Sequence, residues 1–472
     1  MRRLLTALVL AVASLLPVLA SQSQTPASVW ALGGNPRTDF TMDAAGRVTD
    51  ADGATVTLRA AVPAPSGFGT VATSLPAGEM RGRRITLSAE LQTRGAKGGA
   101  SLWLRVDAEK TMLQLDNGTD RALRGDTEWT RFTVSMPVPA SATDLVFGVL
   151  LQGGGTVSAR SLRLVAGAPM TPGARMDGKA KKVLDAALSL VKANALRSRE
   201  VDWKTVEPEV RGLAGGAERP SDVYPAIKFL LVKLGDRHSF LMPPAQTTAF
   251  RTGGAENPPA EVKALSDLVG YVRVPAYGGA DPAAARAYAT KVHGGMAATA
   301  KTASCGWIVD LRANGGGNMW PMLAGLKPLL GSGKLGTFVG PKGSSHAWIA
   351  GAGVDAKPPG SIASLESAWV AVLTSPKTAS SGEAVAIAFR GRPNTRAFGL
   401  PTAGLSTANR TFSLPDGSMI LLTTAVDADR TGRKYGDKVD PDERIEADAS
   451  APSESDSTVA AAVKWLKGGC RR

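Results

Sequence analysis

A chain of 472 residues is longer than one hydrophobic core usually serves, so two or three domains are expected. Its 55 Lys and Arg against 41 Asp and Glu give a formal charge of +14, yet the basic residues are scattered and no basic cluster is interleaved with aromatics, which argues against a nucleic-acid partner. Two cysteines and three histidines offer no metal-ligand spacing, so a structural zinc site is excluded and neither a metal nor an organic cofactor is expected.

Residues 1–20 have the layout of a secretory signal peptide: MRR gives a positive start, LLTALVLAVASLLPVLA an apolar run, and Val18-Leu19-Ala20 a small-residue cleavage site. Ser14 and Pro17 interrupt the run, which falls short of a bilayer span. The mature protein is therefore expected to be exported, in a bacterial periplasm or secreted, without stable membrane insertion. Cys305 opens a strand and Cys470 stands near the chain's end, a spacing that suggests two isolated thiols.

Residues 25–168 read as all-β. RITLSAEL places Ile85, Leu87, Ala89 and Leu91 on one face, and SLWLRVDA, TRFTVSMPV, DLVFGVLLQG and VSARSLRLV repeat that period of two between turn-rich intervals. Short alternating strands of this kind predict a jelly-roll-like β-sandwich. Such sandwiches resemble modules that bind carbohydrate or cell-envelope ligands, which makes Trp103 and Trp129 either sugar platforms or half-buried core residues.

GAPMTPGAR, residues 167–175, reads as a linker, and a helical part follows over 175–248. KKVLDAALSLVKANAL carries the stripe Val183, Leu184, Ala187, Leu188 and Val191; Asp202 caps DWKTVEPEV; and Ser221 precedes a helix with Ile227, Leu230, Leu231 and Leu234 on one face, stopped at Gly235. From 255 to 468 strands alternate with helices: VGYVRVP, then ADPAAARAYATKVHGGMAATA, then GWIVDLR, then MWPMLAGLKPLLG, SAWVAVLTS, SGEAVAIAFRG, RAFGLP and SMILLTTAVDA. The alternation predicts an α/β domain with a largely parallel sheet, whose ligands belong at the carboxyl ends of the strands. Two loops stand there, ANGGGN and SPKTASS.

Ser380 and Ser381 fall where a strand turns into a helix, in the positive field of the helix N-terminus. The same position suits a plain N-cap, and the stretch lacks a GxSxG elbow. DLRANGGGN lets backbone N–H groups approach a substrate without Cβ obstruction, and it lacks the spacing of a phosphate cradle. Of the three histidines, His238 follows a helix stop in a polar loop, His293 ends a helix where C-terminal capping explains it, and His346 has no motif around it.

The ordered set GDRHS, VGYVRVP, DLRANGGGN, VAVLTSPKTASSGEAVAIAF, GLPTAGLS and VDPD resembles the tail-specific (C-terminal processing) serine peptidases, a family that includes the tricorn protease core. The resemblance spans roughly residues 175–450 and implies ClpP/crotonase-like layering of the α/β domain. It makes Ser380 the nucleophile, with an oxyanion hole from the backbone N–H of Ser381 and of Gly315 or Gly316. Leu405 stands where the Ser–Lys branch of the family has its lysine, and Asn409 replaces a Gln. A leucine cannot accept a proton, so the pattern is similar to the Ser-His arrangement, with His238 as general base. The histidine's orienting acid is open among Asp437, Asp440, Glu443 and Asp236, while Glu383 is expected as a helix first-turn carboxylate. Only some twenty residues separate SFL from VGYVRVP, too few for the PDZ domain that family members often carry there. The expected partner is a protein or peptide substrate, with a carbohydrate or envelope ligand for the sandwich. The rival expectation is a catalytically inactive peptidase fold that binds a ligand or glycan.

Overall fold

The computed structural model describes residues 30–470 apart from 51, 66, 110, 171–172, 253–256, 266–267, 352–353, 355–363 and 447–455. The expected signal peptide lies outside the described residues.

The N-terminal strands form one nine-stranded antiparallel sheet that folds over on itself into a sandwich. Its spine is Arg83–Ala108, a strand of 26 residues. The first half pairs with Leu123–Pro137 and Thr156–Pro169, and the second half with Thr111–Asp116 and Asp144–Gln152. The strand changes leaf near Gly95 and Gly99, whose φ values of 61° and 101° are costly for residues with a Cβ, and the register slips there. Ile85, Leu87, Ala89 and Leu91 are all buried on the inner face, as the period of two predicted. The last strand runs to Pro169 and so takes in the start of the expected linker.

In the helical part, Asp177 caps Gly178–Asn194, accepting hydrogen bonds from the N–H groups of Lys179 and Ala180. Asp202 caps Trp203–Leu213 in the same way. The helix Tyr224–Lys233 buries Ile227, Leu230 and Leu231, and the chain leaves it at Gly235 with φ 66°. This helix packs beneath the sandwich, with Lys228 Nζ donating to the Leu115 carbonyl, so the sandwich and helical cores are continuous.

Two sheets follow. One is six-stranded, in the order Glu261–Ala264, Gly270–Arg273, Trp307–Asp310, Val370–Thr374, Thr395–Gly399 and Glu443–Arg444. All its pairings are parallel except the first. Trp307–Asp310 and Val370–Thr374 are buried along their whole length, which is why they read as unbroken apolar runs. The other sheet is antiparallel and was not anticipated. Met419–Asp429 is its centre, flanked by Phe240–Met242, Lys334–Val339 and Thr407–Ser413, with Ser345–Ile349 beyond. The sequence pattern assigned Met419–Asp429 to the parallel layer, because an apolar run buried on both faces does not reveal the direction of its neighbours.

Three further expectations are corrected. The apolar stretch from 319 to 330 divides into Met319–Gly325 and Lys327–Leu330, with Pro328 opening the second helix. His293 lies inside Pro282–Thr299, not at a helix end. Cys305 and Cys470 form a disulfide, because the unforeseen helix Ser457–Cys470 returns to pack Val459, Ala462 and Leu466 against the outer face of the parallel sheet.

Candidate active site

Both loops named from the sequence leave the parallel sheet at the carboxyl ends of paired neighbours, Trp307–Asp310 and Val370–Thr374. Hydrogen bonds lace the two loops together. Ala379 N–H donates to the Asn314 carbonyl at 2.9 Å, Thr378 Oγ1 to the Leu311 carbonyl at 2.9 Å, and Ser375 Oγ to the Arg312 carbonyl at 2.6 Å. Beneath the glycine loop, the buried carboxylate of Asp310 takes three donors from Arg312 and the hydroxyl of Tyr271. The loops are thus fixed by cross-loop hydrogen bonding and not by apolar packing alone.

Ser380 adopts φ 52° and ψ −119°, a conformation that residues with a Cβ seldom hold, and Ser381–Ala388 begins directly after it. The turn persists because Glu383 grips it. This carboxylate, fully buried, accepts from the N–H groups of Ser380, Gly404 and Leu405 at 2.8, 2.9 and 2.8 Å, and from Thr402 Oγ1 at 2.5 Å. Burial pushes the Glu383 carboxyl up, while those four donors pull it down. Glu383 therefore does more than complement the helix dipole: it ties the Ser380 turn to the loop that carries Leu405. Nearby Asp427 is fully buried, and burial together with Glu383 pushes its carboxyl well above the ordinary range.

Ser380 Oγ does not spend itself as a cap. It meets His238 Nε2 at 2.9 Å across 142 residues of sequence. Ser381 Oγ instead donates to the Gly317 carbonyl at 2.6 Å. Among the described residues, the N–H groups of Ser381 and Gly315 have no protein acceptor. Gly316 differs, because its N–H is taken by Asn314 Oδ1 at 3.0 Å. Its role is steric: φ is 107°, and a Cβ there would come within 2.8 Å of Ser380 Cβ.

His238 enters from the antiparallel sheet, just before Phe240–Met242. It is 7% exposed, and burial lowers its pKa from 6.5 to about 4, with Asp236 opposing weakly. The imidazole is therefore neutral at pH 7. With Nε2 accepting from Ser380, the other nitrogen carries the proton, and Nδ1 donates to Thr407 Oγ1 at 2.7 Å. No carboxylate occupies that position. Asp236 instead accepts from the backbone N–H groups of His238 and Ser239 and from Ser239 Oγ, forming the turn on which the ring stands. Asp437 receives the Ser406 hydroxyl on its carbonyl, the Asp440 carbonyl is taken by Arg390, and Glu443 pairs with Arg396 at 3.3 Å. Asp440 and Glu443 lead to the far edge of the parallel sheet, where Glu443 pairs with Phe398, while Asp437 stays beside the loop 404–406 and makes no hydrogen bond with the ring.

Thr407 is a residue that sequence reasoning missed, and Asn409 was named there only as replacing a Gln. They alternate on one face of Thr407–Ser413, and Asn409 Nδ2 donates to the His238 carbonyl at 2.8 Å while Asn409 Oδ1 accepts from Thr423. The available signal was a polar i, i+2 pair immediately after the lost lysine position. His346 is exposed on Ser345–Ile349, and His293 is half-buried with Nδ1 unpartnered; neither approaches this constellation. Among the described residues no group of His, Cys, Asp and Glu can hold a metal ion.

The description "Peptidase family S41" matches residues 268–445, which include the glycine loop, Ser380 and Thr407 but not His238. The chain is 27% identical over 294 residues to a nisin-resistance protein of Lactococcus lactis subsp. lactis, a match covering 61% of this chain and 87% of that one. A shorter similarity, 37% over 91 residues, is to an uncharacterized HTH-type transcriptional regulator of Bacillus subtilis (strain 168); it covers 19% of this chain and 31% of that relative. Among solved structures, a lipoprotein from Streptococcus agalactiae superposes with a TM-score of 0.52 at 23% identity, over 62% of this chain and 98% of that one. That likeness concerns the fold alone.

Proposed function

Residues 268–445 form a peptidase family S41 domain, and from that premise we propose that the chain is an exported serine peptidase with Ser380 as nucleophile and His238 as general base. The observation that carries the reading is the 2.9 Å contact between Ser380 Oγ and His238 Nε2, made by a histidine that burial keeps neutral. A neutral imidazole has a free lone pair to take the serine proton as Oγ attacks a peptide carbonyl. The imidazolium so formed shares its Nδ1 proton with Thr407 and gives its Nε2 proton to the leaving amine. The developing oxyanion takes the N–H groups of Ser381 and Gly315, and water, deprotonated by His238, then releases the acyl group from Ser380. Export rests on the leader-like residues 1–20; among the described residues no helix is long and apolar enough to cross a membrane.

Covalent labelling by a fluorophosphonate probe tests the assignment. Wild type is expected to label and Ser380→Ala to lose the label, and equal labelling of the two removes Ser380 from the role. One observation favours a second reading, a peptidase fold that binds without cleaving: a neutral hydroxyl stands at Nδ1 where a carboxylate would stabilise the imidazolium better. An unlabelled wild type that hydrolyses no peptide would establish that reading instead.

A further inference from the structure

Between the sandwich and the helical part lies a cleft of about 930 Å³. Strands Thr111–Asp116 and Leu123–Pro137 line one side, and helix Tyr224–Lys233 and strand Phe240–Met242 the other. Its polar lining is incomplete. Gln114 is only 3% exposed, yet neither its Nε2 nor its Oε1 has a hydrogen-bond partner. A buried amide left wholly unpaired is a net cost to folding, so it is seldom retained without use. Arg84 is half-buried and, among the described residues, makes no hydrogen bond or close ion pair; Asp222 acts on it only as a nearby charge. Arg131 on the adjacent strand is also unpaired among the described residues. By contrast, Arg121 and Arg219 in the same lining are neutralised by Asp116 and Asp222.

We propose that this cleft binds an acidic peptide segment, with Arg84 and Arg131, six residues apart along the paired strands, each taking a separate carboxylate and Gln114 pairing with a backbone amide. The side-chain amide offers one acceptor and one donor face, the complement of a peptide unit's N–H and C=O. Guanidinium groups without intramolecular partners match a carboxylate in a two-pronged geometry. Phe132, Met136 and Leu241 supply apolar wall for neighbouring side chains. A glycan fits less well, because the aromatic surfaces it would need are engaged elsewhere. Trp103 Nε1 donates to Thr70, and Trp129 lies under the Arg160 guanidinium at 4.3 Å. Leu241 and Pro243 follow His238 closely, so an occupant rests against the strand that directly follows the proposed base. Only the identity of this segment as part of a substrate rests on the peptidase reading.

Fluorescence anisotropy on the full chain carrying Ser380→Ala measures binding without turnover. The probes are a fluorescein-labelled peptide of alternating glutamate and alanine and its glutamine counterpart. The glutamate peptide is expected to bind at least about tenfold more tightly, with affinity falling as salt rises. Arg84→Ala and the exposed Arg131→Ala should each weaken it by about tenfold, and Gln114→Leu by about threefold. Gln114→Leu should leave the melting temperature unchanged or higher, since it removes an unpaired amide. Equal binding of the two peptides, or of wild type and all three variants, overturns the proposal. So does binding of an oligogalacturonate in the absence of peptide binding, which would make the cleft a glycan site. Because labelling of Ser380 is scored separately, failure of either result leaves the other standing.

Discussion

The parallel and antiparallel sheets each supply half of the candidate site, and they hold their halves by different means. The parallel sheet presents Ser380 and the glycine loop at the ends of adjacent strands, where side chains of the same two loops and of the helix start (Ser375, Thr378 and Glu383) hydrogen-bond to nearby backbone groups. The antiparallel sheet presents His238 just ahead of a three-residue edge strand, and side chains from its neighbours fix it: Thr407 on the ring, Asn409 on the carbonyl, and Ser239 donating to Asp236 while accepting from the Thr423 N–H. The Ser380 half is held by a strained turn and contacts made within its own loops, whereas the His238 half depends on side chains from strands distant in sequence.

The largest expected effects come from removing either half. Ser380→Ala and His238→Ala should each lower kcat by roughly 10⁴-fold or more, with Ser381→Ala within about tenfold, read by steady-state hydrolysis of a peptide substrate. If Ser381→Ala proves as damaging as Ser380→Ala, the distinction between the two serines fails. Next is the clamp on the parallel side. Glu383→Gln replaces one acceptor oxygen with a donor facing N–H groups and should cost about 3 kcal/mol in chemical denaturation, with loss of turnover. Unchanged stability would mean that the Ser380 turn does not depend on that carboxylate.

On the antiparallel side, Thr407→Val removes the acceptor for the Nδ1 proton and should lower kcat roughly 10- to 100-fold with little change in KM. Thr407→Ser should restore most of it; equal loss in both variants would assign Thr407 to packing. The remaining test is pH dependence. His238 has a folded pKa of about 4, below its ordinary 6.5, so the unfolded chain binds the extra proton first. Its contribution to stability is therefore complete above about pH 6.5 and is lost as pH falls toward 4. The acid limb of kcat/KM should likewise lie near pH 4. A limb near 6.5 would show that the ring is more hydrated than its burial indicates.

Legibility followed the range of the interactions. The sandwich strands, the helix capped by Asp202, and the two strand-end loops were readable because period, cap and turn act within a few residues. The hairpin of Lys334–Val339 with Ser345–Ile349 and the strand Thr407–Ser413 carry weaker alternation and went unread. The acid expected behind His238 was also wrong in kind. Four carboxylates were candidates by proximity in sequence or by resemblance, whereas the ring met a threonine from a strand 169 residues away. The paired cysteines have the same cause, a helix whose docking the spacing of two thiols does not reveal.

The sequence by itself determined which residues have chemistry to offer: a serine at a strand-to-helix turn, a loop of three glycines, and one histidine in a polar turn. Tertiary structure decided what surrounds them. It set the neutral state of His238 through burial, gave Thr407 the Nδ1 position, occupied the Gly316 N–H, and aligned Glu383 under the Ser380 turn. Side-chain identity is local information. Desolvation and hydrogen-bond partnership depend on which distant strands pair, and that is fixed only when two sheets close around the site.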